Sequence, residues 1–99
     1  MNKILVACNS GLGTSLMIRI NLEAILRELG CSIAVEHTDV TSLRTFQAKL
    51  VVCSSYIVDY LEESGDMEVI ALEDIMDRQY LYESLMKSPT FQQWMLEMR

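Results

Sequence analysis

The apolar and polar positions of this chain follow two different periods. Lys3 opens an almost unbroken apolar run, Ile4-Leu5-Val6-Ala7-Cys8, which stops at Asn9-Ser10-Gly11. A short continuous run bounded by turn residues predicts a strand buried on both faces, as in a parallel sheet. From residue 15 to 29 the period changes. Ile18, Leu22, Ile25 and Leu29 fall on one helical stripe, and Gly30 stands where a helix C-terminus favours glycine.

Further strands are predicted at 31–36, with Ile33 and Val35 on one face, at 50–53 and at 67–72, each rich in apolar and partly β-branched residues. A short helix or turn is predicted within 40–48, a clearer helix over 56–63 ending near Gly65, and a longer one over 73–86 carrying Ile75, Met76, Tyr80 and Leu85. Ser88-Pro89 supplies an N-cap and first-position pair for a last helix reaching Met98, with Phe91, Trp94 and Met95 on one side. Strand and helix alternate throughout, which predicts βαβ units, a parallel sheet with helices on both faces, and a ligand site beyond the carboxyl ends of the strands. No internal repeat, low-complexity run or linker interrupts the 99 residues, so the expectation is one domain spanning 1–99.

Charge and cysteine usage narrow the partners. A net charge of -6 argues against nucleic acid and anionic lipid. The apolar start is too short for a signal-peptide core or a membrane span, so the chain reads as cytoplasmic, with no direct membrane insertion. Cys8, Cys31 and Cys53 are odd in number and lack CxxC spacing, and His37 is the single histidine. Reduced thiols, no metal and no cofactor are expected.

The candidate chemistry lies in Cys8-Asn9-Ser10-Gly11-Leu12-Gly13-Thr14-Ser15. This segment places a thiol at a strand end and wraps backbone toward the next helix. Gly11 and Gly13 are read as permitting backbone angles that let successive N–H groups converge on an anion, with Asn9, Ser10, Thr14 and Ser15 adding side-chain donors. The same field favours a thiolate, which makes Cys8 the candidate nucleophile.

Three better-known loops fail at identifiable residues. A dinucleotide fingerprint needs glycine where Leu16 stands, and a Walker loop needs lysine after Gly13, where Thr14 stands. A cysteine-phosphatase loop needs an arginine at position 14, and no Asp-Pro pair supplies its acid. Losing both the clamp and the acid favours a protein that carries a phosphoryl group over one that hydrolyses it.

The Cys8–Ser15 loop with Leu16-Met17-Ile18 resembles the enzyme IIB component of the bacterial phosphoenolpyruvate-dependent sugar phosphotransferase system (PTS), most closely its ascorbate-type branch, with the galactitol-type branch as near neighbour. The likeness extends through Val35-Glu36-His37-Thr38-Asp39-Val40, Leu50-Val51-Val52-Cys53-Ser54-Ser55 and Val69-Ile70-Ala71-Leu72-Glu73. It implies a Rossmann-like three-layer α/β/α fold on a four-stranded parallel sheet, similar to low-molecular-weight tyrosine phosphatases in its phosphate-loop topology. It also implies that Cys8 takes a phosphoryl group from a phosphohistidine on enzyme IIA and passes it to a sugar, L-ascorbate, held by the membrane-embedded enzyme IIC. One departure is Asn9, where family members often carry glycine; the tail 88–99 matches nothing in the family. A small cysteine phosphatase or arsenate reductase, and a regulatory module switched by phosphorylation of Cys8, stand as alternatives.

Other residues carry plainer expectations. Cys31 and Cys53 lack such a loop and are read as packed thiols. Ser54 and Ser55 either border the phosphate or cap a helix. His37 and Asp39 either face the site or form a surface turn, the turn being favoured. Met76, Met86, Trp94, Met95 and Met98 are read as core, and Arg19 and Arg27 as solvated helix faces.

Overall fold

The computed structural model describes residues 2–8, 12–39, 49–60 and 67–98. Four strands, β1 (Lys3–Cys8), β2 (Ala34–Asp39), β3 (Leu50–Ser54) and β4 (Glu68–Leu72), form one sheet in the order β2-β1-β3-β4, with every pairing parallel. The sequence explains the order. The two inner strands are the continuously apolar ones: Ile4 to Ala7 and the whole of β3 are buried. Of the edge strands, β4 alternates, with Ile70 and Leu72 buried, while β2 buries only Val35 on one face and Thr38 on the other.

The helices α1 (Leu12–Leu29), α2 (Arg78–Met86) and α3 (Pro89–Glu97) share one core with Ile4, Val6, Val35, Leu50, Val52, Ile70 and Leu72 on one face of the sheet. On the other face, Leu5, Ala7, Val51 and Cys53 pack under Ile57 of a 3₁₀ helix, Ser55–Tyr60, with Met67 alongside. The parallel α/β architecture expected from the sequence is therefore present. The helix expected within 40–48 lies outside the described residues.

Several boundaries moved, each for a local reason. α1 closes with Gly30 at φ 71°, where the Gly30 N–H donates to the Arg27 carbonyl (3.1 Å) and the Cys31 N–H to that of Leu26 (2.9 Å). This paired capping spends residue 31 on the turn, so the strand expected at 31–36 begins at Ala34 and runs to Asp39. A Cβ on Gly30 meets no atom within 4 Å, so the cost of Gly30→Ala is the left-handed backbone alone. The expected destabilisation is about 1–2 kcal/mol, measured as a fall in the urea midpoint at unchanged slope.

The helix expected over 73–86 starts only at Arg78, because the acidic side chains before it bond locally. Asp74 Oδ1 accepts from the Met76 N–H (2.9 Å), the Tyr80 hydroxyl accepts from the Glu73 N–H (3.2 Å), and Asp77 caps α2 by accepting from the Tyr80 N–H (3.1 Å). Met76 thus leaves the helix and stands 65% exposed, and Met98, at the C-cap of α3, is exposed too. Neither is core, contrary to expectation, whereas Met86, Met95 and Trp94 do pack on it. The helix expected over 56–63 is the 3₁₀ helix up to residue 60; 61–66 lie outside the described residues.

α3 is pinned to the sheet at its N-terminus. Ser88 Oγ accepts from the Phe91 N–H (3.1 Å), and Glu68 Oε1, from the first residue of β4, accepts from the Thr90 N–H (3.1 Å). Partial burial works against the Glu68 carboxylate, but hydrogen bonds from Ser88 and Thr90 outweigh it and hold its pKa below the ordinary value. The stabilisation is therefore complete above the unfolded-state pKa and is lost as pH falls through the lower folded value. Urea titrations should show Glu68→Gln less stable than the parent at neutral pH, with the gap closing in acid below the ordinary carboxylate range.

Candidate functional site

Strand order sets the position of the site before any side chain does. From β1 the chain crosses through α1 to β2 on one side, while β3 lies on the other side of β1 and leads outward to β4. The loops leaving β1 and β3 therefore diverge, and the crevice between their carboxyl ends is where ligands settle in sheets of this kind.

Cys8 is the last residue of β1. In register it is paired with Asp39, the last residue of β2. On its other side the register runs Val6–Val52 and Ala7–Cys53, so the next rung sets Ser54, the last residue of β3, beside Cys8. α1 begins four positions after the cysteine. Its first turn, Leu12 to Ser15, carries the positive end of an 18-residue dipole at this end of the helix.

The candidate residues divide accordingly. Leu12, Gly13, Thr14 and Ser15 are the first turn of α1, which therefore starts three residues earlier than expected. Asn9, Ser10 and Gly11 lie outside the described residues. Ser15 is fully buried. Gly13 does not take the special backbone angle expected of it: among the described residues only Gly30 has a positive φ. Gly13 is instead an ordinary helical residue, where an added Cβ meets no atom within 4 Å.

His37 and Asp39 lie in β2 rather than in a turn after it, and His37 is exposed. Its Nδ1 accepts from Arg19 Nη1 of α1 at 3.0 Å, while Arg19 Nε lies 3.3 Å from Glu23 Oε1. Arg19 thus ties α1 to the edge strand rather than merely coating a helix face. Ser54 is 6% exposed and accepts from the Tyr56 N–H at 3.3 Å, which satisfies the helix-cap reading for that serine. The sequence favoured a surface turn for Asp39 over a place at the site; register sets it opposite Cys8, and parallel register leaves no local signal in either strand.

The remaining thiols are packed, as expected. Burial pushes Cys53 up to about 11, and Cys31, whose Sγ–H donates to Met95 Sδ at 3.0 Å, is also raised by burial. Both are therefore protonated at neutral pH. Among the described residues no group of three His, Cys, Asp or Glu side chains is arranged to hold a metal ion.

Residues 3–86 match the family model for the PTS system, lactose/cellobiose specific IIB subunit. The chain belongs to the PTS IIB family. It is also 26% identical over 86 residues to the ascorbate-specific PTS system EIIB component of Mycoplasma pneumoniae (strain ATCC 29342 / M129 / Subtype 1), covering 85% of this chain and 90% of that protein. PTS IIB components are phosphotransferases of sugar uptake and work with IIA and IIC partners. The IIB match takes in β1, the loop after it, the whole sheet and α2, and it ends before α3. Among the described residues no helix is long and apolar enough to cross a membrane.

Proposed function

We propose that Cys8 is the phosphoryl carrier of this IIB protein. Its thiolate attacks the phosphorus of a phosphohistidine on enzyme IIA, the S–P bond forms as the P–N bond breaks, and the imidazole leaves with a proton. In the second step a hydroxyl of the sugar held by enzyme IIC attacks the same phosphorus, and the sulfur departs as thiolate. The observation that carries this reading is positional. Of three cysteines, Cys8 alone ends a strand at the point where the loops of β1 and β3 diverge and a long helix then starts. A helix N-terminus favours both a thiolate and the phosphate it receives.

The phosphate-binding set is Asn9, Ser10, Gly11, Leu12, Gly13, Thr14 and Ser15, whose backbone N–H groups would hold the phosphoryl oxygens. No arginine stands at position 14 to clamp a hydrolytic transition state, which supports relay over phosphatase chemistry. The sugar is assigned as L-ascorbate on the name of the Mycoplasma relative, although the family model is named for lactose and cellobiose. The protein acts as one domain in the cytoplasm, where its thiols stay reduced.

The test is intact-mass analysis after incubation with phosphoenolpyruvate, the general phosphotransferase proteins and a cognate IIA. A gain of one phosphoryl group, mapped to Cys8 and passed on to ascorbate in membranes carrying the IIC, is expected. A chain that stays unmodified while the IIA is phosphorylated refutes the assignment.

A further inference from the structure

Ser54 has a role that helix capping does not exhaust. It is the last residue of β3, one rung beyond the Ala7–Cys53 pair, which sets it beside Cys8 in the sheet. The alternation along β3 puts Val51 and Cys53 on the face closed by Ile57, and Leu50 and Val52 on the face covered by α1, so Ser54 belongs to the α1 face. Its oxygen accepts from the N–H of Tyr56, two residues on, in the 3₁₀ helix that follows the carboxyl end of β3.

That bond uses the oxygen only as an acceptor. A serine hydroxyl also carries one proton to donate, and among the described residues nothing accepts it. The side chain is more than nine-tenths buried, so bulk water does not readily serve instead. A buried donor without an acceptor is uncommon unless a ligand supplies one. The one anion that the reaction brings to this edge is the phosphoryl group.

We propose that Ser54 is part of the phosphoryl site, its Oγ–H donating a hydrogen bond to a phosphoryl oxygen on Cys8 while the Tyr56 N–H holds the hydroxyl in place. The proposal rests on the phosphocysteine reading above. Ser54 would then hold the group from β3 while the first turn of α1, in the phosphocysteine reading, holds it from the helix. A hydrogen bond to a charged oxygen favours the more highly charged form of the phosphoryl group and strengthens as charge builds during transfer.

The experiment compares the parent, Ser54→Ala and Ser54→Thr chains in transfer of phosphate from phosphorylated IIA to Cys8, and follows the phosphocysteine by phosphorus NMR across pH. Ser54→Ala should slow transfer by about tenfold. It should also raise the pH midpoint of the phosphoryl resonance, and Ser54→Thr should restore both. If the alanine chain is poorly folded, the comparison moves to Ser54→Thr against Ser54→Val, which match in shape and differ in the hydroxyl. A parent that is phosphorylated on Cys8 beside a Ser54→Ala chain with unaltered rate and midpoint overturns the role of Ser54 alone. A parent that takes up no phosphate overturns the relay reading and this proposal with it.

Discussion

With Cys8 as the proposed phosphoryl carrier, Cys8→Ser is expected to lower phosphoryl transfer from IIA by at least about a thousandfold, because an alcohol is a far weaker nucleophile than a thiolate at neutral pH. A serine oxygen at the same position is an alcohol with a far higher pKa, and the dipole of α1 is too small an effect to ionise it at neutral pH. The contrast with the other cysteines makes the prediction specific. Cys53 is pushed up to about 11 by burial under Ile57, and Cys31 is raised by burial and bonded to Met95. Cys31→Ser and Cys53→Ala should therefore leave transfer within about twofold of the parent, after allowance for stability. Quenched-flow transfer from phosphorylated IIA, read by intact mass, checks all three. Full activity in Cys8→Ser, or loss confined to Cys53→Ala, would place the chemistry elsewhere.

Phe91→Ala is expected to destabilise the chain by about 3–5 kcal/mol, a large part of the roughly 5–15 kcal/mol that a domain commonly has. The size of the effect matters because α3 lies beyond the IIB match at 3–86, so the family match alone does not call for it. The structure makes it part of the main core: Phe91 is fully buried and Trp94 is 5% exposed, both within the cluster that joins α1, α2 and the sheet. Glu68 and Ser88 hold the start of the helix, and Gln92 Nε2 donates to the Met86 carbonyl at 2.8 Å. Leu96→Ala, on the outer side at 61% exposure, should change stability by no more than about 0.5 kcal/mol. Urea unfolding followed by the fluorescence of the single tryptophan, Trp94, reads both variants directly. Equal midpoints for Phe91→Ala and the parent would mean that α3 is not integral to the core.

Much of the fold was legible along the chain because the relevant forces are local. The unbroken apolar runs at 4–8 and 50–53 mark strands buried on both faces, and those two became the inner pair. Gly30, Ser88 and Pro89 end or begin helices through backbone groups within a few residues of themselves. The boundaries that shifted were also decided locally, but by competition the pattern does not expose. Cys31 was claimed by the capping of α1, and Asp74 and Asp77 bonded nearby N–H groups where a longer helix was expected.

The sequence by itself determined the chemistry on offer: one thiol at a strand end, a run of small and hydroxyl residues after it, and the motif that marks the IIB family. Tertiary structure alone decided which residues share the sheet edge with that cysteine. Asp39 and Ser54 are separated from Cys8 by 31 and 46 positions, and only the parallel register of β2 and β3 with β1 brings them to the same edge. Strand pairing is set by burial summed over the whole sheet, a quantity that no single segment carries.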